Sequence, residues 1–372
     1  MLLWHIGSIG WLLAISEGVF AILANSIIYS LVLSITFFIN KKFKVVFFIT
    51  IWLVFEISIN TFSYSTPLLT IGNAFSNQVY LIQWYKYLNT IAGSFWFLLF
   101  SALIYKKKYF LFLLTFTIPT LLSISLLNNK IIFKKNNLKI SIFNSENFIK
   151  KKTNNYISLY VDKNKEAFLN SDILLCPELM ININSVNYKE NFEYKIFKRL
   201  IEKKIVEKII IGADITFYNS KHINSALILT NEKTYLKIKK KLVPYTEYMP
   251  KFLFFKIKKK SYIYNFKDDV NLIKKLKFNP IICYESFFPF YVSNNSSSSK
   301  LLIVIASEQF LKNSYFGRKQ YNNILKLRAI ENNSALIKCS SFSNSILINS
   351  KGNIIDTSNN EEFYTFNVTL KK

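Results

Sequence analysis

Three residues far apart in this chain carry the side chains of a complete acyl-transfer set: Glu178, Lys239 and Cys283. A carboxylate can take a thiol proton, the thiolate can attack an acyl carbonyl, and an ammonium with a backbone N–H beside the cysteine can hold the oxyanion that forms. A nearby lysine also favours the thiolate. Each residue alone has a blander explanation. A cysteine in the apolar run Pro280-Ile281-Ile282-Cys283 is ordinarily a small core hydrophobe. Glu178, after Cys176-Pro177, reads as a solvated turn acid, and Lys239, inside Lys237-Ile238-Lys239-Lys240-Lys241, as part of a solvated basic face. Position sets them apart, because each falls at the end of an apolar run where a strand hands a side chain to a turn.

The other candidates for chemistry are sparse. Cys176 and Cys339 bring the cysteines to three, with no framework spacing, so no structural disulfide is expected. His5 and His222 lie far from any cysteine or acid cluster, which argues against a zinc site. His222 follows the polar run Tyr218-Asn219-Ser220-Lys221 and reads as a solvated loop residue. Neither a metal nor a cofactor is expected.

The elements that must position these residues divide into two unlike halves. From about Leu138, short β-branched runs recur: Leu138 to Phe143, Asp172 to Leu175, Ile205 to Ile211, Ser225 to Leu229, Pro280 to Tyr284, Leu301 to Ala306, Ala335 to Lys338 and Ser345 to Asn349. Helical segments over 191–207 and 318–332 lie between them, so an α/β layered domain is expected over 128–372, with an exposed Ser/Asn tip at 294–299.

Residues 1–127 hold seven lysines, no arginine and two acids, Glu17 and Glu56. Four apolar runs long enough to cross a bilayer are expected, over Gly18 to Ile39, Val45 to Phe62, Asn89 to Tyr105 and Phe110 to Leu127. Pro119 inside the last is tolerable in a membrane. The clusters Lys41, Lys42, Lys44 and Lys106, Lys107, Lys108 fall in the first and third connections, which places those loops in the cytoplasm and the large domain outside it. Met1 to Ile15 lacks the basic start and small-residue site of a cleavable signal. Glu17 reads as interfacial, whereas Glu56 is deep enough to be functional, with no partner named by the sequence. The net charge of +26 accompanies a chain rich in Lys, Asn, Ile and Phe with only eight glycines, so compositional bias accounts for much of it. With no basic stripe or RNA-binding aromatic motif, nucleic acid is not an expected partner.

A family resemblance joins the two halves. Pro177-Glu178, then Lys239 three residues before Leu242-Val243-Pro244-Tyr245-Thr246-Glu247-Tyr248-Met249-Pro250, then Cys283-Tyr284-Glu285, resemble the glutamate, lysine and cysteine blocks of the nitrilase superfamily. The Leu-Val-Pro-aromatic-x-Glu-Tyr-x-Pro block and the membrane half look like the apolipoprotein N-acyltransferase family in particular. Leu327-Arg328-Ala329-Ile330-Glu331 is similar to that family's Arg-Ala-x-Glu helix, and Ser350-Lys351-Gly352 to its late hairpin turn. Leu69-Thr70-Ile71-Gly72-Asn73 and Gln83-Trp84-Tyr85 are similar to its Bacteroidetes-type version.

The resemblance implies an α-β-β-α nitrilase-type domain in the periplasm, set on a helical transmembrane domain in the inner membrane. It implies that Cys283 takes an acyl chain from a phospholipid as a thioester and passes it to the α-amine of a diacylglyceryl-cysteine apolipoprotein. Glu178 would be the base and Lys239 the oxyanion partner, with Glu247, Tyr284 and Glu285 in support. The pattern departs from the family in having fewer spans, in Ser307-Glu308-Gln309-Phe310 where an Asn-Asp block is usual, and in Cys339 and Phe342-Ser343-Asn344 where small residues are usual. A membrane-anchored amidase using water as acceptor and a degenerate, inactive homologue are the other two readings.

Overall fold

The computed structural model describes residues 1–15, 18–35, 38, 43–62, 66–128, 136–143, 165–184, 187–216, 221–244, 246–248, 261–262, 269, 273, 279–296, 300–311, 314–359, 361 and 363–370. Glu17, Lys41, Lys42, residues 218–220, Tyr245, Met249, Pro250 and residues 297–299 of the expected Ser/Asn tip lie outside the described residues, while 294–296 of that tip are instead the end of a helix, Pro289–Ser296, with Ser296 buried.

The apolar front of the chain forms α1 (Leu2–Ile9), a three-ten turn over Gly10–Ala14, and then α2 (Gly18–Ile35), α3 (Lys44–Thr61), α4 (Tyr85–Tyr105) and α5 (Tyr109–Asn128). Helices α2 to α5 are long and apolar enough to cross a membrane, and α5 carries Pro119 internally. The third span begins earlier than its hydropathy suggests. Asn89 takes φ 56° and ψ −176°, and its Oδ1 accepts a 2.9 Å bond from the Ile91 N–H, so a capped break separates residues 85–88 from the apolar length of α4. Glu56 has partners that lie outside its own sequence neighbourhood. It is fully buried, and Oε1 accepts from Trp52 Nε1 and the Ile71 N–H, each at 2.8 Å. The side chain thereby ties the turn Ile71–Asn77 to α3.

Beyond the spans, strand alternation decides the layers. In β4 (Val206–Thr216) Ile209 and Ile211 join one core and Ile210 another; in β9 (Leu301–Ala306) Leu301, Ile303 and Ile305 oppose Leu302, Val304 and Ala306. A sheet apolar on both faces must be covered on both. The first sheet runs β13 (Phe363–Leu370), β1 (Asn136–Phe143), β2 (Ser171–Leu175), β4, β5 (Lys221–Leu229), β6 (Thr234–Ile238), with β3 (Ile181–Ile183) beside β4 and β7 (Ser261–Tyr262) beside β5. Its β1, β2 and β4 are parallel; β13–β1, β4–β5 and β5–β6 are antiparallel. The second sheet runs β12 (Ile354–Thr357), β11 (Ile346–Ile348), β10 (Ala335–Ser340), β9, β8 (Pro280–Ile282), with β8, β9 and β10 parallel.

Ile173, Ile210 and Ile228 meet Ile282, Ile303 and Ile337 between the sheets. Helix α6 (Phe192–Glu202) covers the outer face of the first sheet through Phe197 and Leu200, and α8 (Tyr315–Glu331) covers that of the second through Ile324 and Leu327; α7 (Pro289–Ser296) lies beside it. The domain is therefore α-β-β-α. Its second outer layer shares one apolar cluster with Ile9, Leu12, Ile22 and Trp84 of the membrane half.

Two of the boundaries that differ from the sequence reading have a plain backbone cause. The helix expected over 191–207 ends at Glu202, because Lys204 takes φ 56° and β4 needs the chain from Val206. The run expected as strand to Tyr284 is strand only to Ile282, because Cys283 adopts φ 45° and opens a three-ten turn, Cys283–Phe287.

Candidate active site

Each functional side chain is delivered by a strand that stops. At the end of β2 the Cys176 N–H still reaches Ile210 O at 2.8 Å, but Pro177 has no N–H to continue the ladder and the chain peels away. Leu179 follows at φ 57°, leaving Glu178 buried at the strand's carboxyl end. That exit passes so close to β4 that a Cβ on Gly212 would lie 2.4 Å from both Glu178 Cα and Pro177 O.

Lys239 sits one residue past β6, its N–H bonded to Asn224 O at 2.9 Å. The solvated-face reading fails for two lysines of the run. Lys237 and Lys239 are fully buried, on one face of the strand, whereas Lys240 and Lys241 remain partly exposed. Lys237 donates to Pro280 O and stands 3.7 Å from Glu285 Oε2.

Around Lys239 the charges close into a compact knot. Its Nζ donates to Glu178 Oε1 at 2.8 Å and to Glu247 Oε1 at 2.9 Å. Asn224 Nδ2 donates to the same two oxygens at 2.7 and 2.8 Å. The outer oxygens are held by backbone, Glu178 Oε2 by the Ser307 N–H at 2.9 Å and Glu247 Oε2 by the Val243 N–H at 2.7 Å. Asn224 was missed by the sequence reading; it stands just before the run Ser225 to Leu229 that was read as strand, among the polar neighbours His222 and Ser225, and nothing local marks it out.

Cys283 sits where its turn starts. Its carbonyl accepts from Ser286 Oγ at 2.7 Å and Tyr321 OH at 3.3 Å. Glu285, two residues on, is fully buried. It accepts from the Ile282 N–H at 2.9 Å, the Lys240 N–H at 2.7 Å and Tyr291 OH at 2.7 Å, and so fastens the cysteine turn to the strand end that bears Lys239. Tyr284 is a wall residue, its ring edge-on to Phe287 and Phe288.

Burial pushes the Cys283 thiol well above its ordinary value, and the negative charge of Glu178 adds to that; Lys239 pulls the other way without overcoming it. The lysine effect anticipated from sequence is thus outweighed, and burial beside the Glu178 carboxylate favours the neutral thiol. Burial works to lower Lys239, but Glu178 and Glu247 hold it well above its usual value, so the ammonium persists. Cys176 and Cys339 are fully buried away from this cluster, and Cys339 Sγ contacts Leu175 O at 3.5 Å inside the inter-sheet core. His222 is a strand residue rather than a loop one, buried, with Nδ1 3.1 Å from both Asp214 Oδ1 and Thr216 Oγ1.

Glu178, Lys239, Glu247, Cys283 and Tyr284 open into one cavity of about 620 Å³. Its other walls come from both halves of the chain, with Trp11, Leu12 and Leu68 facing Val243, Phe287 and Phe310. Trp11 is keyed in place by a 2.9 Å bond from Nε1 to Gln320 Oε1 and by stacking on Phe310. A buried thiol, an ammonium and two carboxylates at the polar end of an apolar cavity form a site suited to thiol-based acyl chemistry.

No protein-family model matches the chain. Over 143 residues it is 32% identical to a Rickettsia typhi protein named apolipoprotein N-acyltransferase, covering 37% of this chain and 29% of that one. Over 273 residues it is 27% identical to a Wigglesworthia glossinidia brevipalpis protein of the same name, covering 67% of this chain and 53% of that one. The chain thus spans about half or less of the length of the curated relatives it matches. Similar solved structures include a carbon-nitrogen hydrolase from Helicobacter pylori G27, with 16% identity and a TM-score of 0.41 over 63% of this chain and 89% of that one. A Saccharomyces cerevisiae member of branch 10 of the nitrilase superfamily aligns with 13% identity and a TM-score of 0.41, over 65% of this chain and 92% of that one.

Proposed function

We propose that the chain transfers an acyl chain from a phospholipid to the α-amine of a diacylglyceryl-cysteine apolipoprotein, through a thioester on Cys283. The observation that carries this reading is the cavity, in which one end holds the thiol, lysine and carboxylates while the walls are apolar and partly built by the membrane half. A lipid tail gains from such walls, and a small polar amide does not. The names of the curated relatives support the same chemistry.

In the first step Glu178 takes the thiol proton as Cys283 Sγ attacks the ester carbonyl, and Lys239 with a backbone N–H beside the cysteine holds the oxyanion. The C–O bond breaks, the proton passes to the departing alkoxide, and a lysophospholipid leaves. In the second step the incoming amine attacks the thioester, Glu178 takes its proton, and the thiol departs reprotonated. Two bulky lipids then use one site in turn, with ping-pong kinetics. Glu247 and Asn224 hold Lys239 and Glu178 in register, and Glu285 holds the cysteine turn. Residues 1–127 act as the inner-membrane anchor and lipid wall, and 128–372 as the periplasmic catalytic domain.

Membranes containing the chain, incubated with a phospholipid labelled in its acyl chain, are expected to yield a hydroxylamine-sensitive adduct that transfers to a diacylated lipopeptide. Cys283→Ala abolishes the adduct, while Cys176→Ala and Cys339→Ala keep it. An adduct that never transfers and is released to water would favour the amidase reading, and no adduct on the native chain would favour an inactive homologue.

A further inference from the structure

The Arg-Ala-x-Glu segment has no role in the chemistry above, yet its two charges are buried at the seam between the two halves. Arg328 Nε lies 3.0 Å from Glu331 Oε2, with side chains 1% and 5% exposed. The pair is not self-contained. Glu331 Oε1 accepts from the Thr90 N–H at 2.9 Å and from Thr90 Oγ1 at 2.7 Å. Thr90 is the first residue after the break at Asn89, so a carboxylate from the α/β domain caps the free N-terminal end of a membrane span. A negative group is favoured there by the helix dipole. On its other side Arg328 reaches Phe287 O from Nη1 and Thr90 Oγ1 from Nη2, each at 3.4 Å. Phe287 closes the turn that begins at Cys283 and lines the cavity.

We propose that Arg328 and Glu331 are positioning residues that form a bracket, keying the start of the apolar length of α4 to the nucleophile's turn. The bracket makes the setting of Cys283 depend on how the membrane helix is seated. Burying this pair costs more than its Coulomb attraction returns unless other hydrogen bonds support it; Arg328 Nε and Glu331 Oε2 face only each other's charge at 3.0 Å, and the hydrogen bonds of the remaining atoms reach a span on one side and the cysteine turn on the other. The adjoining packing leaves little slack, since a Cβ on Gly72 would lie 2.0 Å from Thr90 O. This inference rests on reading Cys283 as the reactive thiol, and its test is arranged so that the two fail separately.

The test uses the full chain in detergent and follows alkylation of Cys283 by iodoacetamide, which needs no lipid substrate. Thr90→Val removes the hydroxyl from the membrane side and Glu331→Gln the charge from the other. Ser101→Ala is the control, because its hydroxyl bonds only Phe97 O within the same helix. Each bracket variant is expected to shift the alkylation rate by about 5-fold, the size of a ~1 kcal/mol coupling, with the control within about 2-fold. A cycle with both bracket substitutions should show less than the sum of the two effects. Rates in Thr90→Val equal to the native chain, or shifted equally in Ser101→Ala, would overturn the bracket. If the bracket variants shift alkylation but the native chain forms no acyl adduct, the bracket stands and the acyl-transfer reading falls.

Discussion

Gly212→Ala tests whether the placement of Glu178 is set by the strand crossing behind it. The added Cβ would meet Glu178 Cα and Pro177 O at 2.4 Å, both backbone atoms, whereas ordinary contact starts at 3.4 Å. No rotamer change relieves this, so the β2 exit must retreat by about 1 Å. Glu178 has nowhere to go without loss: Oε1 shares 2.7 and 2.8 Å bonds with Asn224 and Lys239, and Oε2 a 2.9 Å bond with the Ser307 N–H. A displacement of that size near reacting atoms costs on the order of 10²-fold in rate. Folding should survive, because overpacking of about 1–3 kcal/mol is partly offset by the ~0.5–1 kcal/mol that a strand gains when glycine becomes alanine. The assay is the initial rate of acyl-adduct formation from labelled phospholipid, with thermal unfolding in the same detergent. Gly7→Ala is the matched control, since nothing lies within 4 Å of its new methyl. A Gly212→Ala protein that is acylated at the native rate would refute the claim that close approach at this strand end sets the base.

Lys239→Ala should cut adduct formation by about 10²–10³-fold, the range for removing one oxyanion donor, whereas Lys241→Ala, a half-buried residue bonded to Thr61 O at 2.6 Å, should stay within about twofold. Equal losses measured for the two would point to a general basic surface; Lys237→Ala cannot serve as the comparison because that ammonium is fully buried against Pro280 O. The pH dependence of Cys283 is a separate check. Its pKa lies above the ordinary thiol value of 9.0, so fewer thiolates exist at every pH below that, and iodoacetamide labelling should keep climbing through pH 9. A plateau below pH 8 would mean a stable thiolate and overturn the general-base role of Glu178.

The sequence made the layers and the central charges legible because both follow from local pattern. β-branched runs leading to Pro177 and Cys283 are visible one residue at a time, and the spans show in hydropathy alone, whereas the strand Thr234–Ile238 that delivers Lys239 was not among the runs read from the sequence. What escaped it were partnerships made across the fold. Lys237 and Lys239 share parity on a strand, yet only the pairing of β6 with β5 reveals that this parity faces inward against Asn224 and Glu178. His222 was assigned to a loop from the polar run before it, and the antiparallel register Thr216 to His222 instead put it in the sheet beside Asp214. Glu285, two residues past the thiol, was expected in support of it, but the backbone N–H groups of Ile282 and Lys240 that it accepts from could not be named from the sequence. Glu56 had no partner in sequence because the Ile71 N–H belongs to a loop whose course no periodicity describes.

The cavity also has a history in time. Trp11 and Gln320, which are hydrogen-bonded across its rim, are 309 residues apart in the chain. At a synthesis rate of about 5–20 residues per second, the apolar wall contributed by the front of the protein waits roughly 15–60 s for its opposite wall to be made. The thiol-bearing turn, Cys283–Phe287, is made within that interval, after the front wall and before Phe310 and Gln320 complete the opposite one.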